Sequence, residues 1–403
     1  MEVTRFISSK LDRRGNFIAL FSVALSIAVM VVAICVTTGF KGRIRALTTG
    51  FSGSIVLAPP GEGPLNENHP FTEKFSYRGE LEGLRFVESL SPTAFRSGVV
   101  KAGNAIHGLY FKGVDSLYDF SFYSDALVDG ALPSLGGRIS SDVLISDELS
   151  ALLGIKTGDR LQAFFVGDDV KARNFTVCGV FDARLEDLGR QFVLVDIRQV
   201  RRLAGWEEGE SSAVEIRIKP SKSIESARDA VENIAMASTS EGDPPLFALS
   251  VKQLYSNLFD WLRLLDFNVL LILLLMSLVA GFNMLSALLI ILLRQTSSIG
   301  VLKSLGMTDR DVTRTYLRLS SSLVLKGLAA GNLFGLGLAL LQYFTRIMRL
   351  DPESYFVSYV PIGFNIPVLI LVNVGAYAVI MLLLSLTSRF ISRIEPSKSI
   401  KMG

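Results

Sequence analysis

The chain has 403 residues, 49% hydrophobic and 20% charged, with a formal net charge of +3. A mean hydropathy of +0.41 makes it too apolar for an ordinary water-soluble protein, and the charged fraction is too high for one lying wholly in lipid. The near-neutral charge and the lack of a Lys/Arg run argue against nucleic acid, and two cysteines cannot build a disulfide framework.

Before residue 15, Val3, Phe6, Ile7 and Leu11 share one helical face while Arg5, Lys10 and Arg13 fall elsewhere. That pattern predicts a short amphipathic helix, 1–14, lying on the cytoplasmic leaflet. An apolar stretch, 15–40, follows. It is longer than the apolar core of a signal peptide and is followed by no A-x-A-like cleavage site, so it reads as an uncleaved transmembrane helix.

Residues 41–249 are mostly polar and read as an α+β domain. Within it, 106–114, 161–166 and 175–180 read as strands, and Asp168 and Asp169 as residues of a hairpin turn. Val214, Ile216 and Ile218 alternate with Glu215, Arg217 and Lys219, the pattern of a half-buried strand. Ser146 is placed to cap a helix ended by Gly154, 221–235 reads as another helix, and 61–70 reads as a loop.

Residues 250–293 read as a stalk and second transmembrane helix, opened by a Ser250/Gln253 capping box. No proline interrupts 251–293, so the expectation is one continuous rod. A loop, 294–316, leads to a third span, 317–345. Its Gly327, Gly331 and Gly335 recur every four residues, a spacing that allows close helix contact in lipid, with a helix of this chain or of a partner. A short loop, 346–361, a fourth span, 362–388, and a tail, 389–403, complete the chain. Basic residues cluster on the side of both termini, among them Arg13, Arg14, Arg294, Arg310, Arg314 and Arg389. That side is therefore expected to be cytoplasmic, and 41–249 to lie outside.

No G-x-x-x-x-G-K-[ST], H-E-x-x-H or G-x-S-x-G motif is present, and His69 and His107 have no neighbour at metal-ligand spacing. The expectation is no catalytic residue, no metal and no cofactor in this chain.

The segment 294–307, RQTSSIGVLKSLGM, resembles the cytoplasmic coupling loop of the FtsX/MacB-like ABC transporter permeases, R-x-x-E-I-G-[IV]-L-[KR]-x-[LM]-G-A, with Ser298 in the acidic position. Thr38–Gly39–Phe40, the F-D-W of 259–261, the M-x-L-V-A-x-F-N of 276–283, Lys112–Gly113–Val114–Asp115 and the L-G-I-K-T-G-D of 153–159 are similar to the lipoprotein-releasing LolC/LolE type. The hairpin at 166–171 is short, so the chain resembles a LolE-like member without the hook that engages a carrier, or a homologue that meets its carrier differently.

The resemblance implies four transmembrane helices in a 1 + 3 layout, a large periplasmic domain and an inner-membrane location. It implies a permease that extracts lipoproteins for a LolA-like periplasmic carrier, paired with a second permease copy or paralogue. ATP and Mg would be bound by a separate LolD-like ATPase subunit. Ile299, Gly300, Val301, Leu302, Lys303, Leu305 and Gly306 would dock that ATPase. Val32, Val36, Val269, Leu270, Leu273 and Asn283 are the candidate substrate contacts. The alternatives are a MacB-like exporter of another amphiphile or peptide, and an FtsX-like signalling permease that activates a cell-wall hydrolase.

Overall fold

A computed structural model describes residues 13–391, apart from 62, 66, 103–104, 168, 184–188, 295–303, 305, 352–356 and 358. The described residues open with a 40-residue helix, α1 (Arg13–Ser52), followed by β1 (Ile55–Ala58) and β2 (Phe71–Thr72). Next come α2 (Arg78–Glu82), β3 (Val87–Ala102), β4 (Ala105–Val114), α3 (Ser121–Ala126), β5 (Leu127–Gly130) and β6 (Asp142–Ser146). Then follow α4 (Asp147–Leu153), β7 (Arg160–Val166), β8 (Val170–Phe181), β9 (Phe192–Asp196) and α5 (Ile197–Ala204). β10 (Glu210–Ser211), β11 (Ala213–Ile218), α6 (Ile224–Ala237), β12 (Phe247–Ser250) and α7 (Val251–Leu254) lead to three long helices, α8 (Ser256–Arg294), α9 (Asp309–Thr345) and α10 (Ile366–Ile391).

Contacts divide the chain into two units, one of Met1–Arg43, Asp260–Leu350 and Ser358–Gly403, the other of Ile44–Phe259 and Asp351–Val357. Among the described residues of the long helices, four stretches are long and apolar enough to cross a membrane: Phe17–Ser52, Ser256–Ile290, Arg310–Thr345 and Ile366–Leu386. Their helical unit has a core of Val23, Ile27, Met30, Ala280, Met284, Val324 and Ile380. It also turns Phe267, Leu270, Leu271, Leu275, Leu333 and Leu371 outward. Large apolar side chains on the outside are unfavourable in water and suit a hydrocarbon surround.

The second unit is α+β. Its large sheet runs β12–β1–β11–β3–β4–β9–β6–β8–β5, and β7 pairs both β3 and β8, so the strands from β3 through β4, β9, β6, β8 and β7 close into a ring. Inside the ring Phe111 stacks on Phe175 and meets Phe165 edge to face among aliphatic residues, and Val200 and Leu203 of α5 pack onto the same core. A second core sets Ile55, Leu57, Val214 and Ile216 against Ala227 and Val231 of α6.

Local signals explain most boundaries. Ser146 Oγ accepts the Leu149 N–H at 2.9 Å, and Gly154 ends α4 at φ 66°, a left-handed conformation that glycine adopts without strain. Two expectations need correction. First, the rod is not continuous: α7 stops at Tyr255 (φ −111°, ψ 45°), and α8 then runs 39 residues, roughly 58 Å at 1.5 Å per residue. The break falls where Tyr255 is half-buried and its hydroxyl pairs with Ser52 Oγ, a tertiary contact that overrides helix propensity. Second, β11 is buried on both faces, because Glu215 points into a polar pocket rather than into solvent. The amphipathic helix predicted at 1–14 lies, but for its last two residues, outside the described residues.

Candidate functional site

β1 and β12 are antiparallel neighbours, with Ile55 opposite Ser250, so α1 ends and α7 begins at adjacent points of one sheet. Val251 N–H donates to the Ser54 carbonyl at 3.1 Å, and Gln253 Oε1 accepts the Ser250 N–H at 2.9 Å. Beneath this junction lies Lys112, 1% exposed. Its Nζ contacts Glu215 Oε1 at 2.7 Å and donates to the Phe51 carbonyl at 2.6 Å and to the Tyr118 hydroxyl at 3.0 Å. It also stands 5.5 Å from the Phe51 ring centroid and 5.1 Å from that of Tyr118. Phe51 carries one of the last carbonyls of α1, which has no intrahelical partner, so a buried cation there completes the helix end and complements its negative pole.

Burial pushes the Lys112 ammonium below its usual range, while Glu215 acts in the opposite sense and favours the charged form. The Tyr118 and Tyr123 hydroxyls are pushed up, first by burial and then by the Glu215 charge, and stay protonated. A cavity of about 220 Å³ beside the pair is lined by Phe51, Ser52, Leu65, Phe95, Phe192 and Tyr255 among others. Nothing in this arrangement resembles a nucleophile with its base. It is a clasp on the end of a helix.

Sequence reasoning singled out Lys112 only within its motif and placed Glu215 on a solvent face. The signal for the pair was the burial of β11 on both faces, which alternation of apolar and charged residues disguises. Other motif residues have plain packing reasons. A Cβ on Gly113 would lie 2.7 Å from Ile197 Cα, so α5 could not seat against β4. Asp159 accepts the Lys156 N–H at 2.8 Å, closing the turn before β7.

In the helical unit Gly327, Gly331 and Gly335 face α1. A Cβ on Gly331 would stand 2.6 Å from the Ala24 carbonyl oxygen, and Gly327 and Gly335 meet Val23, Ala28 and Val31. The stripe thus packs within the chain. Gly39 lies against the Pro361 carbonyl, and Gly363 N–H donates to the Cys35 carbonyl at 2.8 Å. Lys41 and Asp266 form an ion pair at 2.5 Å, and Asn332 and Asn373 exchange amide hydrogen bonds of 2.6 and 3.0 Å.

Of the candidate substrate contacts, Val32, Val36, Val269 and Leu273 are half-buried and Leu270 is exposed. Leu273 packs on the bundle core, and Asn283 Nδ2 donates to Ser22 Oγ at 2.6 Å. Of the candidate ATPase contacts, Ile299, Gly300, Val301, Leu302, Lys303 and Leu305 lie outside the described residues; Gly306 has φ 96° and precedes α9, capped by Thr308.

The sequence pointed to no metal set. Folding brings carboxylate oxygens of Asp147, Glu148 and Asp182 within 4.8 Å of one another. The Glu148 carboxyl is pushed up to about 7, first by burial and then by its hydrogen bond to Asp147, which matches a shared proton as well as it does a cation.

Two family models cover most of the chain. The MacB-like periplasmic core domain matches residues 16–234, more than half of it, and the FtsX-like permease C-terminal domain matches 270–396. The chain therefore belongs to the FtsX/MacB-like ABC-transporter permeases, the membrane component of such transporters, with a periplasmic α+β domain. Within that family its resemblance is to the LolC/LolE type. Two similar proteins, from the Temecula1 and 9a5c strains of Xylella fastidiosa, are both described as "Lipoprotein-releasing system transmembrane protein LolC". They are 19% and 20% identical, over 98% of this chain and 97% of each relative. Two solved structures are also similar. The periplasmic region of MacB from Actinobacillus actinomycetemcomitans has a TM-score of 0.36 at 15% identity, over 51% of this chain and 92% of that one. The extracellular domain of the ABC-type transporter YknZ from Gram-positive bacteria has 0.32 at 18%, over 49% and 99%.

Proposed function

We propose that this chain is the transmembrane permease subunit of an ABC machine that extracts lipoproteins from the outer leaflet of the inner membrane and hands them to a LolA-like periplasmic carrier. The observation that carries the reading is the match over nearly the full length to two lipoprotein-releasing transmembrane proteins. In this reading both termini are cytoplasmic, the α+β unit is periplasmic, and a second permease completes the pair. A LolD-like ATPase, which binds ATP and Mg, docks on 294–307 through Ile299, Val301, Leu302 and Leu305.

Physical logic supports it. A lipoprotein anchored in the outer leaflet need not cross the bilayer; it needs a push outward against burial of its acyl chains, about 0.8 kcal/mol per CH₂. The α+β unit receives α1 and delivers α7 through paired strands, and the Lys112 clasp fixes the end of α1. Movement of those helices on ATP binding would then be passed to the sheet. The aliphatic faces at Val32, Val36, Val269, Leu270 and Leu273 would meet the acyl chains. The test is release: proteoliposomes holding this chain, its second permease, the ATPase and a triacylated lipoprotein should pass the lipoprotein to soluble carrier only with ATP. ATP turnover without release, together with activation of a cell-wall hydrolase, would instead establish the signalling alternative.

A further inference from the structure

We propose that the free edge of β4 at Ile106–Leu109 is a binding site for an extended polypeptide strand, added to the sheet by backbone hydrogen bonds. β4 pairs β3 along its whole length, Thr93↔Val114 through Ala102↔Ala105, but pairs β9 only from Tyr110 onward. Tyr110 N–H donates to the Gln191 carbonyl at 2.7 Å, away from β3. The unbroken register means that Ile106 and Gly108, two and four residues earlier, direct their N–H and C=O the same way. Among the described residues, no strand or side chain meets those groups.

The sheet face beside this edge is apolar where a solvated face would be polar. Cross-strand neighbours share a face, so the pairs Val99↔Gly108, Val99↔Phe164 and Ser97↔Tyr110 set one row of side chains outward, opposite to buried Leu109 and Phe111. Ile106 is 71% exposed, Val166 is also exposed, and nothing stands within 4 Å of a Cβ built on Gly108. The missing side chains there leave a groove of about 280 Å³ lined by Val99, Tyr110, Phe164 and Val166.

Elsewhere the chain closes the equivalent gap. Among the described residues Ser97 of β3 has no strand partner on its outer side, and Glu67 covers it, accepting from Ser97 N–H at 2.8 Å and from Ser97 Oγ at 3.0 Å. Natural sheets cover or blunt such edges because an open one recruits strands. Among the described residues the β4 edge has no such cover. It combines unpaired backbone groups with an apolar groove, the two elements of recognition by strand addition. The occupant is a segment with alternating aliphatic side chains, and the exposed Lys101, opposite Ile106 and without an ion pair among the described residues, favours a neighbouring acidic residue.

The probe is a fluorescent eight-residue peptide alternating valine with threonine and glutamate, titrated onto the full chain in lipid nanodiscs. Saturable binding is expected, at least tenfold weaker when the peptide's edge-facing amides are N-methylated, and at least tenfold weaker to Ile106→Lys. Hydrogen exchange at the Ile106 and Gly108 amides should slow at least tenfold when the peptide is bound. Equal binding of the N-methylated peptide would show apolar adsorption and overturn the proposal, as would unchanged exchange at those amides. So would self-association of the chain that Ile106→Lys abolishes, because the edge would then belong to a second copy.

Discussion

Replacing Lys112 by methionine tests the clasp at its centre. Methionine keeps most of the volume but leaves Glu215, 5% exposed, without its cation and strips the Phe51 carbonyl of its 2.6 Å donor. Removing one partner of a buried ion pair costs about 3–5 kcal/mol, because the other charge stays buried. Tyr118, whose hydroxyl lies 3.3 Å from Glu215 Oε2, recovers part of that, which places the expectation toward 3 kcal/mol. For a unit of this size such a loss lowers the melting temperature by roughly 6–12 °C. Removing both charges, Lys112→Met with Glu215→Leu, should return most of it, because an apolar pair of similar volume replaces a buried ion pair nearly neutrally. What remains is the lost hydrogen bond to Phe51, about 1 kcal/mol. Thermal unfolding of the full chain in detergent, followed by the fluorescence of Trp206 packed on the ring core, reads all three proteins. A single mutant melting within about 1 kcal/mol of the parent, or a double mutant worse than the single, would refute the reasoning.

Three further outcomes follow from the same structure. Gly331→Leu should destabilise the helical unit by several kcal/mol, since its first added carbon already meets the Ala24 carbonyl, whereas Gly337→Ala, with open space around it, should be silent in the same melting assay. Glu148 has a folded pKa of about 7, raised above its unfolded value, so it contributes stability below about pH 4.5 that is lost as pH rises through 7. Glu148→Gln should therefore flatten the fall in melting temperature between pH 5 and 8, and an unchanged slope would reject that assignment. Leu302→Asp should uncouple or detach the ATPase while the purified chain still melts normally, as co-purification and ATP turnover would report.

How much was legible in the sequence depended on whether one residue or two carried the information. Apolar length announced the membrane helices, and single local signals such as Ser146, Gly154 and Gln253 marked ends that the structure places where expected. The charges Lys41, Arg43 and Arg45 close the apolar run of α1 but not its helix, which continues to Ser52. The glycine repeat indicated close packing without naming α1 as the partner. The Lys112–Glu215 pair lay hidden because its members are far apart in sequence and sit on strands with ordinary alternation. The break at Tyr255 was invisible for a similar reason, since its partner, Ser52, belongs to the end of another helix.

The central claim, that the membrane helices handle a lipoprotein, is tested most directly by a photocrosslinker at Val36 or Leu270 in the complete complex. The account predicts capture of a lipoprotein through its acyl chains in the ATP-free state and loss of that product when ATP is added. Crosslinks that never include a lipoprotein, with a soluble peptide or a hydrolase regulator captured instead, would contradict it.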